Sequence, residues 1–339
     1  MKKLLSAFLI GMGLTGAAMA GPHAGYDRLT VEADHRPSVL AASVWYPAGK
    51  ATYRGLVGDN AVFQGTSAFV GAAMAEGRFP LFVLSHGSGG NMDAISWLSS
   101  ALALRGAMVL AVNHPGSTSG DSSPRRSLRL DERAADLSAA LDALLNEPAF
   151  ADHVDRSRIA SLGFSLGGAT ALNLAGLRFD RGAYADYCAT MGEDGQDCVF
   201  FAKGGVDFAA LPEGFATDMR DERILQAIAI DPGMTYAATP ESVGRMKMPV
   251  LLINLGRTHL FKAADVGPGG SNLAARLPSA LLKTIAPAHH FTFLAECKPE
   301  GAAMLAAEKD DPVCDDPEGT DRAAVHKAIV EEIAAFAGL

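Results

Sequence analysis

The stretch Ile159-Ala160-Ser161-Leu162-Gly163-Phe164-Ser165-Leu166-Gly167-Gly168-Ala169 decides the fold of this 339-residue chain. Its first four residues read as a short buried strand, and Leu166 to Ala175 is small, apolar and helix-compatible. Between them lies G-x-S-x-G, a pattern that predicts a strand, a sharp turn and a helix when it sits in this frame. A serine on such a turn holds a strained backbone, which lifts its hydroxyl clear of the sheet. Side chains at Gly163 and Gly167 would collide across the turn, while Gly168 and Ala169 let the helix lie close to the strand. The helix start also supplies backbone N–H groups and a positive dipole end beside the serine. Ser165 is therefore the candidate nucleophile.

Working outward, Phe79 to Leu84, Ala107 to Val112, Ile224 to Ile230, Pro249 to Ile253 and Leu281 to Ile285 are further short apolar runs. Strands apolar on both faces suit a parallel sheet covered by helices. Helical spacing falls between them at Trp97–Leu104 and Leu130–Leu145, and again at Ala323–Ala335 with a stripe of Val325, Ile329, Ile333 and Phe336. Tyr26–Glu32 and Ser38–Tyr46 alternate instead, which predicts antiparallel strands at one edge. The alternation of strand and helix predicts one doubly wound α/β domain over 21–339. Two stretches break the pattern: 177–223 reads as a lid-like insertion, and 297–321 is acidic and carries two cysteines.

Three further segments hold candidate chemistry. Leu84-Ser85-His86-Gly87-Ser88-Gly89-Gly90 follows a buried run, and its glycines let the backbone bend towards a substrate. The N–H of Ser88 and that of Leu166 are the candidate oxyanion donors. In a nucleophile-elbow frame the order is serine, acid, histidine. His86 precedes Ser165 and reads as a structural neighbour of the loop. The base is expected at His289-His290-Phe291, with His290 favoured and His289 the alternative. For the acid, the run Ala227–Ile230 ends on Asp231-Pro232-Gly233, while the segment after Ile253 offers no carboxylate until Asp265. A carboxylate at the end of a buried strand needs a partner, which favours Asp231 over Asp265. The bland reading is that Asp231 caps a turn. His326 reads as a helix residue, and His23, His35 and His153 read as surface positions.

The chain carries 38 acidic against 29 basic residues, a formal charge of −9, so nucleic acid is not an expected partner. Met1-Lys2-Lys3, an apolar run to about Leu14 and Ala18-Met19-Ala20 resemble a cleavable export signal over 1–20, with no stable membrane anchor expected. In an oxidising compartment the four cysteines Cys188, Cys198, Cys297 and Cys314 suggest two disulfides, for which three pairings exist. Nearest-neighbour pairing would staple two short loops. Neither C-x-x-C spacing nor a nearby histidine supports a metal site.

Taken together, LSHGSGG (84–90), GFSLGGAT (163–170), AIDPG (229–233) and HHFTF (289–293) resemble the bacterial dienelactone-hydrolase-like proteins related to platelet-activating-factor acetylhydrolase. The resemblance runs from about Arg54 to Phe293. It implies the α/β-hydrolase fold: a mostly parallel, doubly wound sheet with antiparallel N-terminal strands and a lid-like insertion. It also implies a periplasmic or secreted serine esterase that cleaves short or lipid-like acyl esters without a cofactor. Asp231 matches the acid of the acetylhydrolase branch, which follows the sixth strand, and Ser88 and Leu166 match its oxyanion donors. Dienelactone hydrolases proper carry cysteine where Ser165 stands, so their substrate is not implied. A polyester or cutin hydrolase, a serine peptidase and a non-catalytic binding protein are the rival expectations.

Overall fold

The computed structural model describes residues 23–339; the expected export signal over 1–20 lies outside the described residues. The strands are β1 (Gly25–Val31), β2 (Leu40–Tyr46), β3 (Arg54–Val57), β4 (Thr66–Val70), β5 (Phe79–Ser85), β6 (Met108–Val112), the two-residue pair β7 (Ser117–Thr118) and β8 (Asp121–Ser122), β9 (Val154–Phe164), β10 (Gln226–Ile230), β11 (Val250–Leu255) and β12 (Ala280–Ile285). Ten of them form one sheet in the order β12-β11-β10-β9-β5-β6-β2-β1-β4-β3. From β12 to β6 every neighbour is parallel, and β2 turns the pairing antiparallel. Beyond β2 the sheet continues through β1, β4 and β3, the last two of which the hydropathy pattern misses. These edge strands are short, half-exposed and interrupted by Gly55, so no apolar run marks them.

The helices are α1 (Ser96–Ala103), α2 (Pro124–Ser127), α3 (Leu130–Asn146), α4 (Leu166–Leu174), α5 (Arg181–Met191), α6 (Gln196–Lys203), α7 (Pro240–Arg245), α8 (Leu273–Arg276), α9 (Gly301–Glu308) and α10 (Arg322–Ala337). They cover both faces, giving one buried apolar cluster on each side of the sheet. The central strands bury nearly every residue, as parallel strands between two helical layers must. On α10 the stripe Val325, Ile329 and Ile333 lies in one of these clusters, and Phe336 packs at its edge.

The two irregular stretches hold more structure than their sequence announces. Within 177–223 lie α5, α6 and three 3₁₀ turns. Tyr184, Tyr187, Phe201 and Phe215 are core residues, and only Phe200 is exposed among the aromatics of α6. The hydroxyls of Tyr184 and Tyr187 both donate to Asp197, a polar contact inside an otherwise apolar layer. Short helices with mixed small, acidic and aromatic residues give no clean period, which hides them from pattern reading. The 297–321 stretch contains α9.

Cys188 bonds Cys198 and Cys297 bonds Cys314, the nearest-neighbour pairing. The second bridge closes a span of 17 residues, and closing a loop of about that length stabilises a fold by about 3 kcal/mol. Replacing Cys297 and Cys314 together by serine is expected to lower stability by that order in a chemical melt under non-reducing conditions. Free thiols at these positions in a non-reducing mass map of the untreated protein are the result that excludes the bridge.

Candidate active site

The parallel strands β9, β10, β11, β12 and β5 all end at one edge of the sheet, so the loops after them converge there. Ser165 follows β9 directly. Its backbone has φ 57° and ψ −122°, in the positive-φ region that non-glycine residues rarely adopt. The turn is held from several sides. Ser165 N–H donates to Ile230 O at 2.9 Å, and its carbonyl accepts from Gly233 N at 3.0 Å and Ala169 N at 3.1 Å. A Cβ at Gly163 would lie 2.0 Å from the Gly167 carbonyl oxygen, and one at Gly167 would lie 2.0 Å from that of Ser85. Only glycine fits either place, because the turn is pressed against both its own helix and β5.

Asp231 follows β10, also at positive φ (43°), and is fully buried. One carboxylate oxygen accepts from Leu255 N–H at 2.7 Å and the other lies 3.0 Å from His290 Nδ1. His290 opens the 3₁₀ turn His290–Phe293, and its Nε2 stands 3.0 Å from Ser165 Oγ. The structure thus brings Ser165, His290 and Asp231 into one hydrogen-bonded chain across 125 residues of sequence. Nδ1–H faces the carboxylate, which leaves Nε2 as the acceptor for the serine hydroxyl. Burial pushes the Asp231 carboxyl up from its usual range. The bonds from His290 and Leu255 oppose that rise.

The alternatives stand elsewhere. Asp265 is buried, but its Oδ1 accepts from Asn254 Nδ2 and Gly267 N–H, both at 2.8 Å. His289 turns away from Ser165, and its Nε2 lies 3.5 Å from Asp316 Oδ1. It contributes through its backbone: its N–H donates to Thr292 Oγ1, which in turn donates to Asp316. Arg322 grips the same Asp316 and so ties the His290 turn to α10. His326 accepts the ring of Trp97 in a stack at 3.8 Å, and its Nε2 sits 3.0 Å from both the Thr292 and Leu294 carbonyls. None of these supports is legible in the sequence, since they join residues that share only a tertiary neighbourhood.

The His290 ring is sandwiched between Phe164, at 4.6 Å, and Phe261, at 4.4 Å. Phe261 carries no motif and escapes sequence reading; it enters from the loop after β11. The neighbouring Lys262 bridges to Asp194 between α5 and α6, so the 177–223 stretch borders this rim of the site.

The segment after β5 runs against the nucleophile, and a Cβ at Gly87 would lie 3.3 Å from Ser165 Cβ. Neither the Ser88 N–H nor the Leu166 N–H has an acceptor among the described residues. His86 lies beneath this loop, buried, with Nδ1 2.7 Å from the Gly87 carbonyl. His35 is exposed, as expected of a surface position. Its Nε2 nonetheless lies 2.8 Å from the buried Asp136. His114, which no motif marks, is entirely buried on that same carboxylate.

A family model described as the alpha/beta hydrolase fold matches residues 80–181, the segment that holds the Ser85–Gly90 loop and the Ser165 turn. The solved structure of a ferulic acid esterase from Streptomyces cinnamoneus superposes over 93% of this chain and 88% of its own, with a TM-score of 0.59 at 20% identity. The chain has the α/β-hydrolase fold. Among sequence relatives, cutinase est2 of Thermobifida alba is 35% identical over 99 residues. Cutinase 2 of Thermobifida cellulosilytica is 33% identical over 99 residues. Each match takes in 29% of this chain and about a third of the relative, 30% and 34% respectively. The family match stops before Asp231 and His290, so those two residues rest on the geometry alone.

Proposed function

We propose that this protein is a serine carboxylic-ester hydrolase that works by two-step acyl transfer. The observation that carries the reading is the continuous chain Ser165 Oγ, His290 Nε2, His290 Nδ1, Asp231 Oδ2, with both contacts at 3.0 Å. His290 takes the proton as Ser165 Oγ attacks the ester carbonyl and returns it to the departing alcohol oxygen. Asp231 holds the imidazole in the tautomer that leaves Nε2 free and offsets the positive charge the ring acquires. The unpaired Ser88 and Leu166 N–H groups receive the carbonyl oxygen as it becomes negative. Water activated by His290 then attacks the acyl-serine and releases the acid. The two disulfides support export to an oxidising compartment. No helix among the described residues is long and apolar enough to cross a membrane.

The stretch shared with cutinases favours a second, narrower reading in which the ester belongs to a polymer. A panel separates the two: p-nitrophenyl esters of increasing acyl length alongside an insoluble aliphatic polyester. Turnover of soluble short-chain esters with none of the polyester selects the first reading. Comparable release from the polyester selects the second, and turnover of neither class removes both.

The acid is tested separately. Asp231→Asn is expected to lose about 10⁴-fold in kcat, because the amide favours the wrong imidazole tautomer, while Asp265→Asn keeps most of its activity. Burial also raises the Asp231 pKa. The ionised carboxylate is therefore a cost to the fold at neutral pH, and Asp231→Asn is expected to melt no lower than the parent. Loss of activity in Asp265→Asn alone would reverse the assignment.

A further inference from the structure

Directly behind the Ser85–Gly90 loop lies a second serine–histidine–aspartate chain. Ser85 Oγ is 2.9 Å from His114 Nε2, and His114 Nδ1 is 2.9 Å from Asp136 Oδ2. All three residues are 0% exposed, so no substrate reaches the Ser85 hydroxyl. Its bonds are also fully used. The Nδ1–H of His114 points to the carboxylate, so Ser85 donates to Nε2 and its oxygen accepts from Arg133 Nη2 at 3.0 Å. Asp136 is equally occupied, taking Arg36 through Nε and Nη2 and His35 through Nε2. This chain has the topology of a catalytic triad without access to one.

Arg133 is the unusual member. It is 2% exposed, and its guanidinium contacts only neutral oxygens: Thr170 Oγ1 at 2.9 Å, Ser117 Oγ, Ser85 Oγ and the His86 carbonyl. No carboxylate lies in direct contact with it among the described residues. A buried cation without an ion pair is costly unless its geometry is needed. Its acceptors belong to the two segments that hold the unpaired N–H groups. Ser85 and His86 lead into Ser88. Thr170 donates back to the Leu166 carbonyl at 3.0 Å, one turn along the helix that Leu166 opens. Ser117 carries the second support, because its carbonyl accepts from Gly89 N–H.

We propose that Arg133 is the positioning residue of the oxyanion hole, a rigid fork that sets the Ser88 loop against the Leu166 helix start. The inference rests on the esterase reading of the site. A planar guanidinium reaches four acceptors in one plane, whereas an ammonium on a flexible stem cannot hold all four. Arg133 touches no substrate, so its effect falls on the step that develops negative charge on oxygen.

The test compares the parent with Arg133→Lys and with Ser117→Ala, which removes one anchor and leaves the guanidinium charged. Each is assayed with a p-nitrophenyl ester and its thionoester, whose sulfur accepts hydrogen bonds poorly and so gains little from the hole. Arg133→Lys is expected to lose about 10²-fold in kcat on the oxygen ester, comparable to losing one oxyanion donor, with KM within about threefold. The oxygen-to-sulfur rate ratio should shrink with it, and Ser117→Ala should fall between the two. Equal losses on both esters mean a general structural defect and overturn the proposal, as does unchanged kcat in both variants. Amide hydrogen exchange gives a reading that needs no activity: peptides covering 85–90 and Leu166 should exchange faster in Arg133→Lys or, should that variant not fold, in Ser117→Ala. Unchanged exchange overturns the proposal. An inactive parent with accelerated exchange in the variant overturns the esterase reading and leaves Arg133 as the anchor of the loop.

Discussion

Ser165→Ala is expected to lose at least ~10³-fold of kcat on a short-chain p-nitrophenyl ester, the scale seen when a nucleophile is removed from a preassembled triad. Its hydroxyl donates to His290 Nε2 at 3.0 Å and stands at the start of a helix. Alanine keeps the backbone turn, because the turn is held by Ile230 O, Gly233 N and Ala169 N and not by the hydroxyl. The variant should therefore melt like the parent while losing turnover. Residual activity would come from the two N–H donors and from substrate binding. A fluorophosphonate probe adds an independent reading: it should modify the peptide containing Ser165 in the parent and leave the variant unlabelled. Parent-like turnover in Ser165→Ala is the result that would end the esterase proposal.

Acid should unfold this protein earlier than its carboxylates alone require. Burial lowers His114 and His326 to about 4 and drives His86 well below its ordinary value. In each case the unfolded chain binds the proton more readily than the folded one. The stabilisation is therefore complete above the unfolded value near 6.5 and is lost as pH falls from about 6.5 through about 4. A displacement of that size corresponds to about 3 kcal/mol each for His114 and His326. Asp136 adds a second stage. Burial would raise its carboxyl, but the bonds from His114 and Arg36 win and hold it at about 2, so its contribution disappears as pH drops below about 4. Within the first window His114 is neutral and serves Asp136 as an N–H donor, so Arg36 is the charge partner there. The check is a series of urea melts from neutral pH downwards. A midpoint that holds steady to about pH 4 contradicts the account. His326→Gln, which removes one titrating group yet can still donate to Thr292 O and Leu294 O, should flatten part of the slope.

The same histidines show where sequence reading stops. Its apolar neighbour Phe291 favours His290 over His289, and the geometry places His290 against Ser165 while His289 Nε2 lies 3.5 Å from Asp316. His114, in contrast, sits in the unremarkable run Val112-Asn113-His114-Pro115, and nothing local distinguishes it. Its significance comes from Asp136 on α3 and Ser85 on β5, neither of which is near it in sequence. Arg133 is hidden for a related reason. On a helix it reads as one of several charges, yet it lies on the buried face with Leu130, Ala134 and Leu137, beneath the loop after β5, while Asp131, Glu132 and Asp142 stay on the outer side.

From its sequence alone this chain determined its strand–turn–helix at Ser165, the parallel core strands and the loop after β5, because each depends on residues close together or on a hydrophobic period. The tertiary structure alone decided which histidine meets the serine, that Asp231 and not Asp265 is its neighbour, which cysteines pair, and what braces the loop. Those outcomes depend on how parallel strands bring their ends to one edge, and side chains separated by up to 125 residues have no local pattern that announces the meeting.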